Sequence, residues 1–174
     1  MSLVLFGPPG AGKGTQSQYM LTAGGMTHIS TGDLFREAIK NKTPLGVEAQ
    51  SYVDAGKLVP DAIVIGLVRE FIEPRKEEAF IFDGFPRTIP QAESLEEQIE
   101  GVGGKSIDKA IFLEVPHEEL ITRLTGRRVC KGCGAVYHVN NNPPKTEGVC
   151  DHCEGEVYQR KDNSAEAITT RLET

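Results

Sequence analysis

The sequence predicts an α/β fold, a doubly wound parallel sheet covered by helices on both faces, with two small units inserted into it. Three observations carry this expectation. Short apolar runs, Leu3-Val4-Leu5-Phe6, Ala79-Phe80-Ile81-Phe82 and Lys109 to Val115, alternate with amphipathic stretches of helical period, the pattern of repeated βα units around a buried sheet. The first run leads directly into Gly7-Pro8-Pro9-Gly10-Ala11-Gly12-Lys13-Gly14-Thr15, a glycine-rich phosphate-binding loop of the kind that joins such a strand to a helix. All four cysteines fall in two C-x-x-C pairs, Cys130/Cys133 and Cys150/Cys153, which marks a separate stapled module near the end.

Each element follows from local chemistry. Leu3 to Phe6 is a continuous apolar strand, and residues from about Gly12 to Gly24 form the first helix, stopped by Gly24-Gly25, since glycine takes up the left-handed C-terminal turn at little cost. His28-Ile29 reads as a brief second strand. Ser30-Thr31 offers an N-cap to a helix containing Leu34, Phe35, Ala38 and Ile39, and Pro44 opens another that runs to about Ala55-Gly56. Pro60-Asp61 starts a stronger amphipathic helix with Val64, Leu67, Val68, Phe71 and Ile72 on one face. Ala79 to Asp83 is a buried strand, Thr88 to about Ile99 a helix, Lys109 to Val115 a strand, and Pro116 opens a helix with Leu120, Ile121 and Leu124. From Arg127 to about Asn163 the chain is rich in Cys, Gly, Asn and Pro without helical periodicity, as expected of a small insert whose own core is too thin to stand alone. Asn163 and Glu166 resemble a capping box before a last helix carrying Ile168 and Leu172. Residues 1–29, 60–126 and 164–174 thus form the core domain, with 30–59 and 127–163 inserted.

A chain of 174 residues, 39% hydrophobic and 25% charged, supports one ordinary core plus a small insert. No apolar run approaches bilayer length, and a strand from residue 3 leaves no room for a signal peptide, so a cytoplasmic location without membrane contact is expected. The net charge of −6 gives no overall attraction for nucleic-acid phosphates, whereas local arginines still suit small anions. Free nucleotides fit this balance better than polymers.

The loop carries the first chemistry. Its glycines let successive N–H groups turn inward onto phosphate oxygens, the following helix adds the positive end of its dipole, and Lys13 reaches the β- and γ-phosphates of a nucleoside triphosphate. The hydroxyl that serves Mg²⁺ stands one place further on than usual, at Thr15, with Gly14 between. The paired cysteines suit one tetrahedral zinc ion, with no site left open for chemistry; two disulfides or a redox-active pair are the competing readings, and His138 and His152 are alternative ligands. Phosphoryl transfer needs positive charge around the migrating group, which directs attention to Arg36, to Arg87 at the end of a strand, to Arg123 and Arg127 on one helix face, and to Arg160 and Arg171 beyond the insert. Asp83 ends its strand as a Walker-B-type acid does and would hold Mg²⁺ through water. Sequence alone does not bring these groups together.

The segments Gly7 to Gln16, His28-Ile29-Ser30-Thr31-Gly32-Asp33-Leu34-Phe35-Arg36, Gly56-Lys57-Leu58-Val59-Pro60-Asp61, Phe82-Asp83-Gly84-Phe85-Pro86-Arg87-Thr88 with Gln91, Gly126-Arg127-Arg128-Val129 and Arg160-Lys161-Asp162 resemble, in order, the successive motifs of the adenylate kinases. The cysteine module resembles the zinc-bearing long lid of one bacterial branch. The resemblance implies a P-loop kinase fold in which residues 30–59 form an AMP-binding subdomain and 127–163 a zinc-containing lid. It implies Mg²⁺-dependent transfer between ATP and AMP giving two ADP, in a monomer. Gly10, Ala11, Gly12, Lys13, Gly14 and Thr15 would hold the ATP phosphates; Arg123 would pack on the ATP base, with Val136 and Tyr137 as lid contacts. Thr31, Arg36, Lys57, Leu58, Val59, Gly84, Phe85, Pro86, Arg87 and Gln91 would form the AMP site, Gln91 reading the adenine edge. Arg127, Arg160 and Arg171 would close over the phosphates as the lid excludes water. Members of that family continue past the helix holding Arg171 into a further strand and a terminal helix, so the strand Lys109 to Val115 is expected at an open edge.

Three other readings stay open. One is a kinase for another nucleoside monophosphate, although Thr31 and Gln91 favour AMP. A second is a nucleotide-binding fragment without catalysis. The third is a zinc-ribbon nucleic-acid-binding module joined to an ATPase, but residues 127–163 hold six Lys/Arg against five Asp/Glu and only two tyrosines, a poor surface for a polymer.

Overall fold

The central sheet consists of four parallel strands, β1 (Ser2–Phe6), β2 (Thr27–Ser30), β3 (Phe80–Asp83) and β4 (Ile107–Phe112), in the spatial order β2-β3-β1-β4. The computed structural model describes residues 2–55, 57–75, 78–101, 106–163 and 165–173. The helices are α1 (Lys13–Thr22), α2 (Thr31–Lys40), α3 (Pro44–Asp54), α4 (Asp61–Ile72), α5 (Ile89–Gly101), α6 (His117–Gly126) and α7 (Ala165–Glu173).

Side-chain alternation along the strands gives the sheet two buried faces. Val4, Phe80 and Phe82 join the larger core with Phe35, Val64, Val68, Ile72, Leu95 and Ile99. Leu3, Leu5 and Ile81 face the other way, onto Met20, Leu21 and Met26. This is the doubly wound arrangement that the continuous apolar strands predict. The register then positions the loops. Leu5 and Ser30 both pair with Asp83, so β1, β2 and β3 end at one level and their outgoing loops emerge side by side, where open α/β sheets bind ligands.

Most predicted boundaries hold to within a few residues. Ser30 caps α2 by accepting Asp33 N at 3.3 Å, and Thr43 caps α3 by accepting Gly46 N at 3.1 Å ahead of Pro44. Three details differ. Phe71 packs against the larger core but is only half-buried, and it lies under the Arg75 guanidinium, 3.9 Å from its ring centre. Ile121 on α6 is exposed, and β4 begins two residues earlier and ends three residues earlier than its apolar run suggested. β4 forms one edge of the sheet, with Asp108, Lys109, Ala110 and Phe112 exposed.

Residues from Arg127 onward build a second, antiparallel sheet of β5 (Arg127–Cys130), β6 (Val136–His138) and β7 (Val157–Tyr158), in the order β6-β5-β7. No residue separates the end of α6 at Gly126 from the start of β5 at Arg127. Asn163, expected as a helix cap, is instead buried and accepts Arg127 Nη2 at 2.7 Å; the side chain of its supposed capping partner, Glu166, lies outside the described residues.

α2 and α3 approach each other closely, with Gly46 pressed against the backbone of Ala38 so that a Cβ would overlap its carbonyl group. Gly66 in α4 is different, since its added Cβ would meet only Leu45 Cδ1, at 3.8 Å. Gly46→Ala is therefore expected to lower unfolding stability by about 2 kcal/mol or more through forced separation of the helices, whereas Gly66→Ala is expected to be neutral or to gain up to about 1 kcal/mol from helix propensity. Denaturant titration of the two variants checks the contrast.

Candidate active site

The loop after β1 starts the site. Gly7 sits at φ +140°, and a Cβ there would lie 2.7 Å from Leu113 O, so only glycine lets the loop leave β1 beside the end of β4. Gly12, also left-handed, stands at the head of α1 with no side chain over the first free N–H groups, which leaves them aimed at an incoming anion. Lys13 folds back over the loop and donates to Gly7 O at 2.8 Å and Pro8 O at 3.1 Å. Thr15 is exposed on the first turn of α1. Asp83 lies beside Gly14, its Oδ2 3.6 Å from the position of a Cβ on that glycine, and 3.7 Å from His28 Nε2.

The loop after β3 forms the opposite wall. Gly84 (φ +79°) turns its carbonyl toward Thr31 and Arg87, accepting Thr31 Oγ1 and Arg87 Nε, both at 2.9 Å. Phe85 and Pro86 are buried beneath this turn. Arg36 is paired with Asp33 on the first turns of α2. Thr31, Arg36, Lys57, Leu58, Val59, Gly84, Arg87 and Gln91 line one solvent-open cleft of about 600 Å³, together with Asp162 and Arg171. Positions from five separate stretches of sequence thus meet.

Two cationic groups from the far side of the insert are held there by one acid. Asp162 accepts Arg160 Nε at 3.2 Å and Nη2 at 3.1 Å, and Arg171 Nη1 at 2.9 Å, while its carbonyl accepts Arg171 Nη1 at 3.1 Å. Burial alone would raise the Asp162 carboxyl, but Arg160 and Arg171 outweigh it and hold it below the ordinary carboxylate range. Arg127 is pushed down to about 9, first by burial and then by Arg160 and Arg171. Lys13 is pushed down to about 8 by burial, against the attraction of Asp83 and with further repulsion from Arg87, Arg171 and Arg127. The charges of Arg87, Arg171 and Arg127 thus all reach Lys13. The excess of positive charge around it suits a polyphosphate.

Arg123, Val136 and Tyr137 are not brought into this cluster. Arg123 pairs with Glu119 at 3.1 Å, both side chains being well exposed, and Val136 is an exposed residue of β6. The Tyr137 side chain is buried and turned to the cysteines. The residues missed at the sequence level are Asp162 and Asn163, which secure three of the arginines. The signal was present, for an acid two residues after Arg160 suits a local clamp, but its reach to Arg171 depends on the fold.

The four cysteines are free thiols whose sulfurs all lie within 4.8 Å of one another. Each pair is a knuckle of the same construction. Gly132 N donates to Cys130 Sγ at 3.3 Å and His152 N to Cys150 Sγ at 3.4 Å; Gly134 N bonds Cys130 O, and Glu154 N bonds Cys150 O. Such N–H···S bonds stabilise thiolates, as metal ligation requires. The Cys150 thiol falls to about 6, first through its hydrogen bond with Tyr137, whose hydroxyl also accepts Asp151 N at 2.8 Å. His138 is occupied elsewhere: its Nδ1 accepts the N–H groups of Asn140 and Asn141 at 3.2 Å, which leaves Nε2 as the donor to Thr122 O. Among the described residues the donor atoms close enough to share one ion are the four sulfurs, with neither His138 nor His152 in the group, which fits a closed tetrahedral site.

Residues 5–174 match the family model described as adenylate kinase. The chain is similar to the adenylate kinases of Carboxydothermus hydrogenoformans, at 58% identity over 99% of this chain and 81% of that protein, Bacillus licheniformis, at 55% over 99% and 80%, and Bacillus subtilis, at 54% over 99% and 80%.

The Lys13 shift has a sign that can be measured. With a value of about 8 in the fold against 10.5 in an unfolded chain, the unfolded state binds more protons between those values, so the cost of burying the charge is full below about pH 8 and gone above about 10.5. Lys13→Met is accordingly expected to be at its most stable relative to the parent below pH 8 and to lose that advantage as the pH rises toward 10.5. Paired melting curves across this window check it, and a difference independent of pH excludes a buried charged lysine.

Proposed function

The chain belongs to the adenylate kinase family, and on that premise we propose that its cleft carries a phosphoryl group from ATP to AMP, giving two ADP, with the residues predicted from the sequence in the roles set out here. The observation that supports this most is the meeting of Lys13, Arg87, Arg127 and Arg171 in one electrostatic environment beside Asp83. The N–H groups from Gly10 to Thr15 and the Lys13 ammonium take the ATP phosphates. Mg²⁺, which this family uses with ATP, would offset charge on the phosphates, and the Thr15 hydroxyl and, through water, the Asp83 carboxylate would hold it. Arg36, Arg87, Arg160 and Arg171 take the AMP phosphate and the migrating group; Thr31, the Lys57–Val59 backbone, the turn at Gly84, Phe85 and Pro86, and Gln91 hold the rest of AMP. Arg127 faces the ATP phosphates. Arg123 and the backbone of Val136 and Tyr137 border the ATP base.

This division of labour matches the chemistry. Transfer between phosphates asks the protein for alignment and for positive charge that strengthens as charge spreads over the equatorial oxygens, with little covalent participation. In the structure Asp162 occupies Arg160 and Arg171; substrate phosphates then exchange with a carboxylate already in place. In this reading residues 30–59 are the acceptor subdomain and 127–163 a lid stapled by zinc at Cys130, Cys133, Cys150 and Cys153. The molecule acts as a cytoplasmic monomer on free nucleotides, without nucleic acid or membrane. Among the described residues no helix is long and apolar enough to cross a membrane.

A coupled assay with ATP, Mg²⁺ and a panel of nucleoside monophosphates tests the reaction, AMP being the expected acceptor. Lys13→Met is expected to reduce turnover below about a tenth of the parent's while melting cooperatively; near-normal turnover excludes the assigned role. The purified chain is expected to carry about one zinc ion, and Cys150→Ser to lower the melting temperature by about 5 °C or more. Absence of zinc on elemental analysis, or unchanged melting, argues against a metal staple.

A further inference from the structure

Gln91 is 1% exposed and contributes to the wall of the cleft, yet neither end of its amide is free to choose its partner. Nε2 donates to Asp61 Oδ1 at 2.6 Å, and Oε1 accepts Arg87 N at 2.8 Å. A carboxylate only accepts and a backbone N–H only donates, so these two neighbours dictate which end of the amide points where. Asp61 is itself anchored. It opens α4, and its Oδ2 accepts Thr88 Oγ1 at 3.0 Å, while that hydroxyl accepts Gln91 N at 3.3 Å. An amide carries two N–H donors and two acceptor positions, so Gln91 retains one of each, in a fixed order, for a ligand.

Resting on the reading of Gln91 as the contact to the acceptor base, we propose that Asp61 is the positioning residue for purine specificity: it locks the Gln91 amide in the orientation that accepts a 6-aminopurine and rejects a 6-oxopurine. A 6-aminopurine offers an amino donor at C6 beside an acceptor at N1, which the remaining Oε1 position and the remaining Nε2–H match. A 6-oxopurine offers the reverse, an acceptor at C6 beside an N1–H donor. A free glutamine serves either base by turning its amide through half a circle. Here that turn places Oε1 against Asp61 Oδ1 and an Nε2–H against the Arg87 N–H, two contacts of like polarity in a buried place. Discrimination thus comes from the penalty set against the wrong base as much as from the bonds offered to the right one.

Asp61→Asn is isosteric and either donates or accepts, so it removes the bias at one end of the amide. In steady-state assays of the full chain with ATP and Mg²⁺, the ratio of kcat/KM for AMP to that for IMP is expected to fall about tenfold or more. The change is expected in KM, rising for AMP and falling for IMP, rather than in kcat, with ATP affinity and melting retained. Thr88→Val, which frees Asp61 Oδ2 without altering the carboxylate, is expected to shift the ratio in the same direction by less. An unchanged ratio in Asp61→Asn beside a collapsed ratio in Gln91→Leu overturns the proposal and leaves Gln91 in the acceptor site. A ratio unchanged in both removes Gln91 from that site and the reading beneath it. If Asp61→Asn fails to fold, Thr88→Val decides, and an unchanged ratio there overturns the proposal.

Discussion

Mutual repulsion of cations is the condition under which this cleft is built. Lys13 is repelled by Arg87, Arg171 and Arg127, and Arg127 in turn by Arg160 and Arg171, and like charges gathered in a partly desolvated cleft raise its energy. The chain meets this with partners of graded strength. Lys13 rests on the carbonyls of Gly7 and Pro8, Arg87 on that of Gly84, and Arg127 on the neutral amide of Asn163, with Asp83 attracting Lys13 and Arg87; Arg36 and the Arg160/Arg171 pair are bonded to carboxylates directly. Dipoles orient a cation without cancelling it, so the cleft keeps a surplus of positive charge while each side chain is held in a defined place.

Strand register supplies the rigid frame for that arrangement. Because Asp83 pairs with both Leu5 and Ser30, the phosphate-binding loop, the cap of α2 and the turn at Gly84 start from one level of a sheet buried on both faces. The Thr31–Gly84 hydrogen bond then ties two of those loops directly. An error in any one strand would therefore displace all three walls together, which is why a short four-stranded sheet suffices to organise so many polar groups.

What was legible in the sequence was whatever depends on local order. The loop from Gly7 to Thr15, the cap at Ser30, the helix start at Pro44 and the two C-x-x-C knuckles are each specified by residues within one turn of each other, and periodicity placed the helices between them. What stayed illegible depends on distance in sequence. Nothing near Asp162 indicates that it bridges Arg160 to Arg171, and nothing near Asn163 distinguishes a helix cap from a buried partner for Arg127, a residue 36 positions away. Ile121 and Phe71 show a related limit: helical spacing selects a face, but only the neighbouring elements decide how wide a strip of that face is covered, which leaves Ile121 exposed and Phe71 partly buried against the core.

The direct passage from Gly126 in α6 to Arg127 in β5 joins mechanics to charge. With no connecting residue, a swing of the three-stranded sheet relative to α6 must use the backbone torsions of these two positions, and the Arg127 guanidinium travels with the swing. Its bond to Asn163 ties this crossing to the chain's return from the same sheet. The two crossings are thereby coupled, and one of the cationic groups of the cleft sits at the coupling itself.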